Sequence, residues 1–129
     1  MSSLYQDELI EHYKQSQFRK VITHPTITYG ELNPACGDKI DVMIELNQEA
    51  IITDIGFQGS GCVISQAAIS MLCEEILGKS ADAVLKLQAH DILQLIHIEL
   101  GPVRAKCATL SLQVIQGGIT AWKKNNSPI

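Results

Sequence analysis

Cys36 and Asp38 lie two residues apart in NPACGDKI, residues 33–40. Asn33, Pro34, Gly37 and Asp38 are turn residues in their own right. The thiol is the member of the group that turn chemistry does not explain. In an extended segment, side chains two apart point the same way, so Cys36 and Asp38 can face one ion. Three further cysteines follow, Cys62, Cys73 and Cys107. None of the four forms a C-x-x-C pair, which excludes a zinc ribbon or a thioredoxin motif. A shared site must therefore be assembled by the fold from distant segments.

Cys62 directly follows Gly59-Ser60-Gly61 and opens an apolar helical stretch. The partial positive charge of a helix N-terminus suits an anionic sulfur. Cys107 is preceded by Arg104 and Lys106, cations that favour a thiolate in the same way. Cys73 is flanked by Ile69, Ile76 and Leu77 at helical spacing and reads as packing. Three thiolates and a carboxylate make a full tetrahedral set for zinc, and thiolates also hold iron–sulfur clusters. A hard carboxylate among soft thiolates gives a labile site, an advantage where cargo must be handed on. The alternative is a structural zinc domain on the same ligands without transfer chemistry. A Cys-His hydrolase or transferase is a third reading. His12, His24, His90 and His97 stand in no motif that would position them against a cysteine.

The elements that must position these residues follow from periodicity. Residues 4–19 read as an amphipathic helix. KIDVMIEL (39–46) alternates apart from Met43, and AIITDIGFQG (50–59) follows the short link Asn47-Gln48-Glu49, predicting a hairpin. A further extended piece near Thr26 to Leu32 completes a small antiparallel sheet. Residues 62–79 read as a helix ended by Gly78. Ser80 reads as the N-cap of the next helix, and His90 to Leu95 as another. Pro102 opens the last helix, closed by Gly117-Gly118. The tail from Lys123 to Ile129 reads as frayed, and Trp122 as packing. Helix, strands, then helices in one 129-residue chain argue for a single α+β domain, 1–129. With a net charge of −4 and scattered Lys and Arg, no nucleic-acid footprint is expected. No apolar run suggests a membrane span. The acidic N-terminal stretch does not read as a secretory signal, so a cytoplasmic location is expected.

NPACGD, GSGCVIS and VRAKCATLS, in this order, resemble the three cysteine motifs of the U-type iron–sulfur cluster assembly proteins. This family comprises IscU, SufU and the N-terminal domain of NifU. The similarity runs from about Leu4 to about Gly117, and LYQDELIEHYK looks like the opening helix of the SufU branch. The resemblance implies a three-stranded antiparallel sheet with an N-terminal helix and C-terminal helices packed on it (SufE/NifU-like). It implies one exposed site of Cys36, Asp38, Cys62 and Cys107, holding zinc or a transient [2Fe–2S] cluster. It further implies sulfur acceptance from a cysteine desulfurase by one of these thiols; Cys107, near a helix start with cationic neighbours, is the expected first acceptor, with Lys106 steadying the anionic sulfur. Apo iron–sulfur proteins would be the recipients. The chain would be a scaffold or sulfur acceptor, sulfurtransferase-like in role rather than an enzyme, and a monomer or weak homo-oligomer. GSGC and Lys106 resemble SufU, whereas the insertion usual in SufU ahead of the last cysteine motif is missing. LGPVR (100–104) is similar to the chaperone-binding LPPVK of the IscU branch but departs from it at Gly101 and Arg104.

Overall fold

The computed structural model describes residues 3–33, 37–96 and 100–125; Cys36 and His97 lie outside these residues. The element order is α1 (Ser3–Lys14), β1 (Ile27–Asn33), β2 (Asp38–Leu46), β3 (Ile52–Ser60), α2 (Val63–Ile76), α3 (Ala81–Leu85), α4 (Ala89–Ile96) and α5 (Pro102–Asn125). The strands form one antiparallel sheet in the order β1-β2-β3, as the alternation predicts.

The alternation in β2 sends Ile40, Val42 and Ile44 into the core, where they meet Ile55 and Phe57 of β3 and the helices. The β2–β3 connection is built by Asn47. Its Oδ1 accepts the N–H of Glu49 at 2.9 Å and of Ile51 at 3.0 Å, while Ala50 takes a φ of 60°. This is the local side-chain turn chemistry that places asparagine in such links. The free edge of β3 is covered by the segment after α1. Phe57 N–H donates to the Phe18 carbonyl at 2.8 Å, and a Cβ on Gly56 would stand 2.5 Å from the Lys20 carbonyl oxygen. Lys20 Nζ pairs with Asp54 at 2.7 Å, fastening this cover to the strand.

Helix α2 is the central helix, buried from Ile64 through Cys73 and again at Ile76. It stops where Leu77 leaves helical geometry and Gly78 takes a φ of 89°. Ser80 caps α3, its side chain accepting the Ala83 N–H at 3.1 Å. Pro102 is the first residue of α5, as expected.

The last helix corrects one expectation. Gly117-Gly118 does not end α5, which runs on to Asn125. A Cβ on Gly117 would lie 2.7 Å from the Tyr29 ring, and one on Gly118 3.0 Å from Tyr29 Cβ. The pair is a close crossing of α5 over β1, where only backbone fits. Lys123 pairs with Asp82 of α3, so the helix is held past the glycines. Residues 123–125 of the expected tail are therefore helical, and 126–129 lie outside the described residues. Trp122 packs against the core edge. No helix among the described residues is long and apolar enough to cross a membrane.

Candidate metal centre

Three element ends meet at one end of the molecule. Asp38 is the first residue of β2, Cys62 the N-cap of α2, and Cys107 lies in the second turn of α5. The hairpin returns β3 beside the start of β2, pairing Lys39 with Ser60. Gly61 then turns the chain into α2, which puts Cys62 over Asp38. Helix α5 packs on both β1 and α2, which brings its first turns to the same place. One ligand atom from each of Asp38, Cys62 and Cys107 lies within 4.8 Å of the others.

Asp38 is 1% exposed although it is a carboxylate. Its Oδ1 accepts the Cys62 N–H at 2.9 Å, and Cys62 Sγ stands 3.6 Å from Oδ2. The carboxylate thus serves the helix start from a neighbouring strand, where a capping side chain would ordinarily do so. The amide donor and the positive end of α2 both lie against this carboxylate. Gly61 makes this approach possible. Its φ is +130°, and a Cβ there would fall 2.1 Å from Asp38 Oδ1. Cys62 is half-buried and Cys107 buried.

The donor set fits a tetrahedral ion. Ligands about 2.1 Å (oxygen) and about 2.3 Å (sulfur) from one zinc ion stand roughly 3.6 Å apart. Cys62 and Asp38 already show that spacing. Two thiols and a carboxylate leave one further ligand to complete the set.

The structure brings together Asp38, Cys62 and Cys107 of the expected four. Lys106 is exposed beside Cys107 on α5. Cys73 is fully buried, and burial pushes its thiol far above the ordinary cysteine value, so it stays protonated and serves packing. His12 is bonded to Ser70 at 2.8 Å, about 12 Å along α2 from Cys62. His24 and His90 are exposed, and none of these three histidines joins the centre. Sequence reasoning placed Gly59-Ser60-Gly61 directly before Cys62 at the start of a helix. It missed the specific contact of Gly61 with Asp38, for which two glycines before a cysteine are the only signal.

The sequence pattern of the NifU-like N terminal domain matches residues 4–128. The chain belongs to that family. It is 29% identical to the zinc-dependent sulfurtransferase SufU of Bacillus subtilis, over 98% of this chain and 96% of SufU. It is 30% identical to the iron–sulfur cluster assembly scaffold protein IscU of Escherichia coli, over 92% of this chain and 94% of IscU. The alignment with SufU spans 143 positions, more than the 129 residues of the chain, so SufU carries segments this chain lacks. The alignment with IscU spans 122. The nitrogen-fixing NifU-like N-terminal protein of Brucella abortus shares the fold, with a TM-score of 0.71 at 16% identity over 93% of this chain and 94% of its own.

Proposed function

We propose that this chain accepts sulfur from a cysteine desulfurase and holds zinc or a transient [2Fe–2S] cluster as cargo for apo iron–sulfur proteins. The convergence of Asp38, Cys62 and Cys107 at one end of the fold, with Cys62 half open to solvent, is the observation that carries this reading. Relatives named as a sulfurtransferase and as assembly scaffolds support it. A structural zinc site is closed, and the partial exposure of Cys62 argues against one.

Each residue has a role in this proposal. Cys36, Cys62 and Cys107 supply thiolates, and Asp38 is the replaceable donor. Cys107 is the first sulfur acceptor. Its thiolate attacks the outer sulfur of the donor persulfide. The donor's S–S bond breaks, its thiolate leaves, and Cys107 becomes the persulfide. No general base is needed, since a persulfide hands its outer sulfur to a thiolate directly. Lys106 steadies the anionic sulfur from the exposed flank. The proposal places the chain in the cytoplasm, as a monomer or weak homo-oligomer.

The test is incubation with a cysteine desulfurase and sulfur-labelled cysteine, followed by mapping of the label onto individual thiols. Label on Cys107 that is lost in Cys107→Ser is expected. Label on Cys62 alone would reassign the acceptor. No label on any thiol, with zinc that stays bound, would leave a structural zinc domain.

A further inference from the structure

Arg19 is fixed in place by neutral groups. Its guanidinium lies over the Phe57 ring, 4.9 Å from the centroid. One terminal nitrogen donates to Gln66 Oε1 at 3.3 Å, the other to the Tyr13 carbonyl at 3.4 Å. Gln66 is 2% exposed and Phe57 fully buried, so the guanidinium rests on a rigid base. Among the described residues, neither Arg19 nor Lys14 has an ion-pair partner.

Both cations face one open groove of about 480 Å³, walled by Tyr13, Ser60, Gln66 and the backbone of Gly59 and Gly61. Among the described residues, no carboxylate lines it. A neighbouring groove around His12, in contrast, carries Glu8, Glu11 and Glu74. In a chain of net charge −4, these two cations share one concavity, although Lys14 also borders a second groove lined by Asp7 and Glu11. A guanidinium held by a ring and two neutral acceptors keeps N–H groups for an incoming anion, and its planar fork matches a carboxylate. The volume suits a small molecule. At Gly61 the groove wall is shared with the metal centre, since this residue's other side abuts Asp38.

We propose that this groove binds the carboxylate of a small thiol of the cysteine class and presents its sulfur to the Asp38–Cys62–Cys107 centre. The inference rests on the metal reading above. The carboxylate of Asp38 is the hardest donor of a soft set and the one an entering thiolate would displace.

The test is an amide and arginine side-chain NMR titration of zinc-loaded protein with 3-mercaptopropionate, 2-mercaptoethanol, propionate and inorganic phosphate. The expected result is that 3-mercaptopropionate binds about tenfold more tightly than the other three, as one charge-assisted contact added to a metal–thiolate bond implies. Shifts should concentrate at Arg19 and at Gly59 to Gly61. Arg19→Gln and Lys14→Gln should each remove most of that advantage. Arg19 also braces Phe57, so the exposed Lys14 is the variant that leaves the fold untouched. Equal binding of 3-mercaptopropionate and 2-mercaptoethanol, an unchanged preference in Lys14→Gln, or phosphate binding as tightly would overturn the proposal. A chain that takes up neither zinc nor, with iron and sulfide, a cluster would refute the metal reading separately. In that case propionate shifting Arg19 in a Lys14-dependent way would still support the carboxylate groove, and no shift would overturn it.

Discussion

Replacing Gly61 by alanine tests whether the Asp38–Cys62 contact is built by the backbone. The added Cβ would lie 2.1 Å from Asp38 Oδ1 and 2.8 Å from its Cγ. Ordinary contact needs more than about 3.4 Å, so the carboxylate must retreat by roughly 1 Å. That retreat breaks the 2.9 Å bond from the Cys62 N–H. Loss of a charge-assisted hydrogen bond costs about 1.5–3 kcal/mol. A non-glycine residue in the positive-φ region adds about 1–2 kcal/mol. The total is about 2.5–5 kcal/mol. Gly78→Ala separates the two contributions. Gly78 also has a positive φ, +89°, but its missing Cβ meets nothing within 4 Å. It should lose only the backbone part, about 1–2 kcal/mol. The assays are urea unfolding of the metal-free variants and zinc competition against a chelator. Gly61→Ala should bind zinc about 10–100-fold more weakly, as expected when a ligand is displaced, and Gly78→Ala should bind as wild type. Equal stability loss in both variants, with zinc affinity unchanged in Gly61→Ala, would refute the reasoning.

Two further outcomes follow from the geometry. In native metal-free protein, iodoacetamide should modify Cys62 rapidly, whereas Cys73, buried and held protonated, should react only after unfolding; peptide mapping with and without urea checks this, and early labelling of Cys73 would contradict the assigned core. The hydrogen bond from Lys20 holds the Asp54 carboxyl below its ordinary value of 3.8. A depressed carboxyl stabilises the fold above the unfolded value and loses that contribution as pH falls through the folded one. Both groups are substantially exposed, so the contribution is under about 1 kcal/mol. Lys20→Met should therefore lower Tm slightly at pH 6, and the difference should shrink as pH falls below 3.8 and vanish once pH is under the depressed folded value; a difference that persists in stronger acid would assign the effect to packing.

Much of this architecture is legible in the residues. The alternation of Ile40, Val42 and Ile44 specifies a strand with one buried face. Ser80 and Pro102 mark helix starts by their backbone chemistry, and the Ile69–Cys73–Ile76 stripe marks a core helix. These signals are local, so a linear reading captures them. Gly117-Gly118 misleads for the opposite reason. The same residue type that ends a helix also permits close packing, and the Tyr29 ring that selects the second role is far away in sequence. The centre follows the same division. Cys62 and Cys107 are marked by their flanks and Asp38 by its motif. The union of these residues depends on β2–β3 register and on the α5 crossing, which no single motif states. The groove at Arg19 had no local signal, because its walls come together from distant segments, Tyr13 and Lys14 on one side and Gly59 to Gly61 and Gln66 on the other.

Metal content of the wild type, Asp38→Ala and Cys62→Ser, purified in parallel and measured by elemental analysis, tests the central claim most directly. The account predicts about one zinc per chain in the wild type, as a single tetrahedral site requires. It predicts zinc bound more weakly in Cys62→Ser. It also predicts an iron–sulfur chromophore, after reconstitution with iron and sulfide, that persists longer in Asp38→Ala than in the wild type. Zinc retained equally in all three proteins, or zinc absent from all with no iron–sulfur chromophore formed in any, would contradict a metal centre built on Asp38, Cys62 and Cys107.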